Sequence, residues 1–202
     1  MKKIAIAGAS VALAAMPIVG VFAVDGDSLT PITDTVTVTV ANSCTFARKT
    51  GGGTYDAGTI ANGSASSDIT GSVFNIKCND TGGWYLTAAG DNDATTKSSM
   101  DSSTSKDTDD IVTGTTFSGD TSAWAFRLDG TGVISDYSAA AYANVPAAGG
   151  ATVATSNTAA GNGTGIDITA HYKVYIGNNQ AAGTYTGKVT YTLAHPAVTT
   201  QS

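Results

Sequence analysis

The 202-residue chain contains no glutamate, so all 16 of its acidic residues are aspartates. Lysine and arginine together number only 10, which leaves a formal net charge of −6 at pH 7. An acidic chain lacks the clustered basic surface that nucleic-acid binding requires, so we expect no nucleic-acid partner. Glycoside hydrolysis uses a pair of carboxylates across a cleft, and a chain without glutamate shows no sign of such a pair.

Histidine and cysteine are equally scarce, with two residues of each type. His171 and His195 lie far apart, and neither has a serine nucleophile elbow or a Cys–His arrangement nearby. Two distant cysteines and two histidines do not readily supply a metal-ligand set. We therefore expect no enzyme activity, no catalytic residue, no cofactor and no metal, and we interpret both histidines as residues of strand surfaces.

The aspartates cluster in one part of the chain only, at Asp91 and Asp93 and again at Asp107, Asp109 and Asp110. Oxygen ligands of this kind suit calcium, but the spacing of an EF-hand loop is absent. Residues 90–120 are mostly Ser, Thr, Asp and Gly. We interpret this stretch as an exposed, solvated insertion.

The one long hydrophobic run lies at the N-terminus. Residues 1–23 begin with Lys2 and Lys3, continue as an apolar run and end in Val-Phe-Ala, with Val21 and Ala23 at the cleavage positions. This pattern is typical of a secretory signal peptide. A retained membrane anchor is the alternative, because the run is nearly charge-free. We predict cleavage before Val24, which removes Lys2 and Lys3 and changes the formal charge from −6 to −8. The mature chain should have no membrane span and should lie outside the cell or on its surface.

The remaining residues, 24–202, have the composition of a single all-β domain with an ordered core of about residues 33–196. Good helix formers are scarce, whereas threonine and glycine are plentiful, with 22 of the chain's 24 glycines in this part. Segments with period-two alternation predict strands at 33–41, 42–46, 71–78, 84–88, 122–129, 164–176 and 183–193. The expected fold is an immunoglobulin-like or pilin-like antiparallel β-sandwich of about seven to nine strands with long low-complexity loops. A barrel or jelly roll is the alternative.

Local patterns also predict how strands and cysteines pair. Cys44 and Cys78 share a strand face with large apolar residues, and an exported chain can keep a disulfide, so we expect these two to be bonded. The short turn after Cys78 predicts a hairpin over 74–88. The link at 177–183 predicts a second hairpin, between 164–176 and 183–193.

The C-terminal stretch "GTYTGKVTYTLAHP" resembles the end of WxL-type bacterial cell-surface domains. Those domains close with Gly-Thr-Tyr, an alternating strand and a Trp-x-Leu motif. Here the corresponding residues are Tyr191 and Leu193, and a true Trp-x-Leu occurs upstream at Trp84 and Leu86. The resemblance implies a secreted protein held non-covalently on the cell envelope, with wall glycan as a possible ligand.

A second resemblance is to chaperone-usher pilins of the spore-coat-U type. The stretches "TVTVTVANSCTF", "GGGTYDAG", "FNIKC" and "AGTYTGKVTYTL" occur in the same order as in that family. The resemblance implies that an alternating N-terminal segment, here with Val36, Val38 and Val40 on one face, fills a groove in the next subunit. That mode of association is β-strand addition.

The expected function is that of a non-enzymatic, secreted structural or adhesive protein of the bacterial surface, acting through strand pairing and surface contacts. Its partners would be the cell envelope or neighbouring surface subunits, with a homo-oligomer possible. The alternatives are a carbohydrate-binding module and a polymerising pilus or fimbrial subunit. Trp84 and Trp124 alternate in phase with apolar neighbours, so we expect them in the core. Val36, Val38 and Val40 could cover the edge of strand 183–193 either in their own chain or in a neighbouring copy. The sequence favours the first alternative, a self-complete domain.

Overall fold

The computed structural model describes residues 35–38, 40–91, 98–103, 110–139, 141–157 and 164–196. The chain divides into two units, Met1–Thr39 and Val40–Ser202. In the first unit the described residues, 35–38, belong to no helix or strand. The predicted signal peptide lies outside the described residues. Within them, no helix is long and apolar enough to cross a membrane.

The second unit is built from β-strands. Its described residues form eleven strands and one short 3-10 helix at Ser135–Tyr137. The strands are β1 (Cys44–Thr50), β2 (Ser64–Ala65), β3 (Ile69–Cys78), β4 (Trp84–Gly90), β5 (Asp101–Ser102), β6 (Val112–Thr113), β7 (Ala123–Gly130), β8 (Ala151–Ser156), β9 (Ile166–Ile176), β10 (Tyr185–Thr186) and β11 (Val189–Ala194).

These strands form a large and a small sheet around one core. The large sheet has the order β1-β3-β9-β7-β6, with β2 also paired to β9, and the small sheet has the order β11-β4-β8. A separate two-stranded ladder joins β10 and β5. The pairs are antiparallel except for β6 with β7. The predicted all-β, sandwich-like fold class is confirmed.

Alternation along the strands explains which residues form the core. On β7, Trp124, Phe126 and Leu128 are buried, as predicted, and β9 contributes Ile168 and Ala170. The small sheet contributes a matching set of buried residues: Trp84, Leu86, Ala88, Val153 and Ala154. Burying a large apolar side chain stabilises the fold by roughly 1.5–3 kcal/mol, so this shared core holds the two sheets together.

The hairpin predicted over 74–88 is wrong, because β3 and β4 lie in different sheets. The turn after Cys78 carries the chain from the large sheet to the small one. Gly83 makes this crossing possible: its φ is +85°, and a Cβ there would lie 1.8 Å from the Ser156 carbonyl oxygen. A short turn between two alternating segments is therefore equally compatible with a change of sheet.

The hairpin predicted between 164–176 and 183–193 is also wrong. Strand β9 pairs with β2, β3 and β7, whereas β11 pairs with β4. The stretch 183–193 is divided into β10 and β11, and β11 ends its sheet instead of lying inside it. Alternation located the strand regions 164–176 and 183–193 but carried no information about their neighbours.

The stretch 90–120 is not uniformly exposed where the structure describes it. It contributes β5 and β6, and Met100 bridges to Ile111. Ser98, Ser102 and Ile111 are each no more than 2% exposed. Residues 92–97 and 104–109, with Asp93, Asp107 and Asp109, lie outside the described residues.

Candidate strand-acceptor groove

Cys44 and Cys78 form a disulfide, as predicted, and face each other in the β1–β3 ladder. This bond marks one end of the sandwich, which we call the disulfide end. Strand β11 finishes at the same end, because Ala194 pairs with Tyr85 near the start of β4. Strand β1 therefore leaves the disulfide end, while β11 runs towards it.

On one lateral side of the sandwich, the outer edges of β8 and β7 have backbone partners, and the large sheet ends there in the two-residue strand β6. The outer edge of β8 is bonded by Gly132 and Ile134, through a Thr155 N–H to Gly132 oxygen contact of 2.8 Å and an Ile134 N–H to Val153 oxygen contact of 3.0 Å. The outer edge of β7 is covered by β6 and by two reciprocal backbone hydrogen bonds to Ala143. Their backbone groups are thus satisfied within the chain.

The opposite lateral side is open. Strands β1 and β11 end their sheets, and no described residue pairs with the outer edge of either strand. Long uncovered edges expose backbone donors and acceptors that can pair with another chain, which natural proteins usually prevent. Two such edges on one side of a sandwich make that side the candidate functional site.

Aromatic side chains form a floor between the two open edges. The Phe46 ring on β1 lies 5.3 Å from that of Phe74, and the Phe74 ring lies 4.7 Å from that of Tyr191 on β11. Phe46, Tyr191 and Leu193 are only partly buried, although they pack against the core. We call this surface, comprising Phe46, Phe74, Tyr172, Tyr191 and Leu193, the acceptor groove.

The groove floor carries hydroxyl groups but no charge. The Tyr172 and Tyr191 hydroxyls lie 3.2 Å apart, and the Tyr55 ring stacks on that of Tyr172 at 6.2 Å. Burial raises the pKa of Tyr191 well above its usual value and also raises that of Tyr172. Both phenols are therefore neutral at pH 7, and the floor suits an apolar ligand with a few polar groups.

The three valines before β1 are exposed in the described part of the chain. Val36, Val38 and Val40 are 94%, 83% and 74% exposed, and none of them belongs to a strand. The predicted half-buried strand at 33–41 is therefore wrong for residues 35–38, 40 and 41, and residues 33, 34 and 39 lie outside the described residues. That these valines cover the edge of 183–193 stays a prediction.

The WxL-like residues lie in adjacent strands of the small sheet. Trp84 and Leu86 on β4 are at most 1% exposed, while Tyr191 and Leu193 on β11 are partly buried. The register places Leu193 opposite Leu86. Because both tryptophans of the chain are in the core, neither offers an exposed face on which a sugar could stack.

A charged cluster on the outer face of the large sheet was missed by the sequence analysis. His171, interpreted there as a surface residue, is only 8% exposed. Its Nδ1 lies 3.0 Å from an Asp68 oxygen and its Nε2 lies 3.2 Å from an Asp129 oxygen. Arg127 contacts both carboxylates, which closes the ring of four side chains. The missing information was the strand register, which sets Arg127 directly opposite His171.

Tyr142 attaches a loop to this cluster by donating a hydrogen bond to Asp68. Burial and this hydrogen bond raise the pKa of Tyr142 to about 12. The pKa of Asp68 is lowered, because hydrogen bonds from Tyr142 and Arg127 outweigh the effect of burial. The cluster therefore links the loops that contain Asp68 and Tyr142 to β7 and β9 of the large sheet through hydrogen bonds and ion pairs.

The part of the chain that the structure describes contains no group of three or more histidine, cysteine or acidic residues able to hold a metal. Comparison of the chain with models of protein families, with curated proteins and with solved structures finds no match.

Proposed function

We propose that this protein is a secreted, non-enzymatic structural subunit of the bacterial surface that polymerises by strand complementation. Residues 35–40 of one copy, which we call the donor segment, lie in the acceptor groove of the next copy. The observation that carries the proposal is the pair of open edges, β1 and β11, on one side of the sandwich. The exposed Val36, Val38 and Val40 supply the complementary apolar face.

The donor segment fits the groove in length and chemistry. It has six residues, as β11 has, and six strand residues span about 20 Å. Alternation places Val36, Val38 and Val40 on one face, where they would meet Phe46 and Tyr191. The threonines between them would face solvent, and the donor backbone would pair with the open edges.

This mode of contact would build chains of subunits. The donor segment and the acceptor groove are different surfaces, so one copy can donate and accept at the same time. Such heterologous contacts form open filaments unless the rotation between copies closes a ring. A filament of this kind would serve as a surface fibre and would use no catalytic residue.

The proposal is tested with a donor-defective chain in which Val36, Val38 and Val40 are all replaced by Asp. This variant should remain a monomer, because carboxylates are costly to bury in an apolar groove. It should still bind a synthetic peptide of residues 33–42, measured by calorimetry. A peptide with the three valines replaced by Asp is the matched control and should not bind. Failure of the wild-type peptide to bind, or assembly of the donor-defective chain, would contradict the proposal.

A further inference from the structure

An arginine lies on the inward face of the open edge strand β1. The register sets Arg48 opposite Phe74, and opposite residues of an antiparallel pair share a face. Phe74 belongs to the core, and Phe46 shares its face on β1. Arg48 therefore lies beside the acceptor groove, further from the disulfide than Phe46 is.

The guanidinium group of Arg48 is held in one orientation. Its Nε donates to the Ser72 hydroxyl at 3.0 Å, and Ser72 is only 3% exposed. The Tyr55 hydroxyl lies 2.7 Å from the same Ser72 oxygen. The guanidinium also lies against Gly53, where a Cβ would come within 2.9 Å of Nη1, 3.0 Å of Nη2 and 3.1 Å of Cζ. These contacts use Nε and leave the Nη fork for another partner.

The Nη fork of Arg48 has no partner among the described residues. There it donates no hydrogen bond and pairs with no carboxylate, whereas Arg127 contacts two. A guanidinium fork fits a carboxylate with two parallel hydrogen bonds. An inward charge on an edge strand also hinders pairing with strands that bring no counter-charge. Arg48 is thus suited to select a strand that carries a carboxylate.

The charge of Arg48 acts on the floor of the groove. Burial raises the pKa of the Tyr172 phenol, and the positive charge of Arg48 opposes part of this rise. The Tyr55 ring, which stacks on that of Tyr172, reaches the Arg48 site through its hydroxyl contact to Ser72. The groove therefore has a positive end at Arg48 and an apolar part between Phe46 and the disulfide.

The sequence before the donor segment supplies the matching charge. Asp34, which lies outside the described residues, stands two positions before Val36. In an extended strand Asp34 would share a face with Val36, Val38 and Val40. That face begins with a carboxylate and continues with apolar side chains. The inward face of β1 has the same order, with Arg48 followed by Phe46 towards the disulfide end.

We infer that Arg48 binds the carboxylate of Asp34 from a second copy of the chain, and that this pair fixes the direction in which the donor segment enters the acceptor groove. The inference rests on the proposed function. The donor segment would run towards the disulfide end, antiparallel to β1 and parallel to β11. In the reverse direction the residue on the same face is Asn42, which would bring a neutral amide to Arg48.

The test measures by calorimetry how peptides of residues 33–42 bind to the donor-defective chain. The peptide with Asp34→Asn should bind about tenfold more weakly than the wild-type peptide, because it loses a charge-assisted pair. Adding Arg48→Gln to the chain should weaken binding of the wild-type peptide to a similar extent and remove the difference between the two peptides. Lys49→Gln is the matched control. It removes the same charge one residue away, from a side chain that pairs with Asp167 at 2.6 Å, and it should preserve the tenfold difference.

A charge exchange separates binding from a merely structural role of Arg48. Arg48→Asp in the chain should prefer the peptide with Asp34→Arg to the wild-type peptide, which reverses the original preference. Thermal unfolding identifies any variant that fails to fold. Arg48→Lys, which keeps the charge and loses the fork, then takes its place and should retain a reduced preference for the wild-type peptide over Asp34→Asn.

The direction of the peptide is measured separately with a nitroxide label and NMR of the isotopically labelled chain. A label at the amino terminus should broaden the amide signal of Gly53, beside Arg48, more than that of Asn79 at the disulfide end. A label at the carboxyl terminus should do the reverse.

Equal binding of the wild-type and Asp34→Asn peptides would overturn the inference, as would broadening in the opposite order. In both cases the wild-type peptide still binds, so the proposed function would stand. If the wild-type peptide did not bind at all, the proposed function and the inference would fall together. The peptide series therefore distinguishes the two failures.

Discussion

Replacing Val38 by Asp should abolish or greatly weaken assembly while leaving the monomer as stable as the wild type. In the monomer Val38 is 83% exposed, so its replacement removes almost no buried surface. Surface substitutions of this kind usually change the free energy of unfolding by no more than about 0.5 kcal/mol. In the assembly the same side chain would be buried against the acceptor groove.

The expected loss of assembly follows from that difference. Burying an exposed valine contributes about 2 kcal/mol, and losing it corresponds to a dissociation constant about 30-fold higher. A carboxylate at the same place adds the cost of desolvating a charge, so the total effect should exceed this value. Sedimentation velocity over a range of protein concentrations measures the change directly.

Thr37→Asp is the matched control for Val38→Asp. It introduces the same charge one residue away, on the opposite face of the donor segment. It should reduce assembly by much less than Val38→Asp does. Equal effects of the two variants would refute the reasoning, because the loss of assembly would then come from the added charge and not from the face of the segment that carries it. Unimpaired assembly of Val38→Asp would refute it as well.

Replacing both Cys44 and Cys78 by Ser should lower the free energy of unfolding by about 3–4 kcal/mol, since the bond spans 34 residues, and denaturant unfolding measures the loss. Tyr142 has its pKa raised from 10.0 to about 12 in the folded chain, so the free energy of unfolding should be unaffected below pH 10 and should fall between pH 10 and about 12. Asp68 has its pKa lowered from 3.8, so stability should fall as the pH drops below about 3.8. Tyr142→Phe should reduce the loss of stability between pH 10 and about 12, and Asp68→Asn should reduce the loss below about pH 3.8. An unchanged loss in either variant would show that another group causes it.

Much of the fold could be predicted from local alternation. The inward residues of β7 and β9 follow a period of two, and the structure buries Phe126, Leu128 and Ile168 accordingly. The disulfide was predictable because both cysteines share a face with large apolar residues. The buried faces require only the residues of one strand, and the disulfide requires only that the chain has two cysteines, each on an apolar face.

Pairing between strands could not be predicted in this way. A period of two determines which side chains share a face, but it does not determine which strand lies alongside. The crossing at Gly83 depends on its close approach to Ser156, which lies 73 positions further along the printed sequence. The cluster around His171 likewise requires the register between β7 and β9.

The candidate site was predictable in its donor half and not in its acceptor half. The alternating Val36, Val38 and Val40 are visible in the sequence, and their alternation is what suggests strand pairing. The position of β11 at the edge of the small sheet, beside β4, is set by strand order, which alternation does not reveal. The acceptor groove exists only because β1 and β11 end their sheets on the same side.

Hydrogen exchange of the assembled protein tests the central claim most directly. Backbone amides of residues 35–40, and those of residues 189–194 that point away from β4, should exchange rapidly in the monomer. Both sets should become protected together in the assembly, because each segment would supply hydrogen-bond partners to the other. Val38→Asp chains alone, at the same protein concentration, should show protection of neither segment. Filaments in which residues 35–40 still exchange as rapidly as in the monomer would contradict the account.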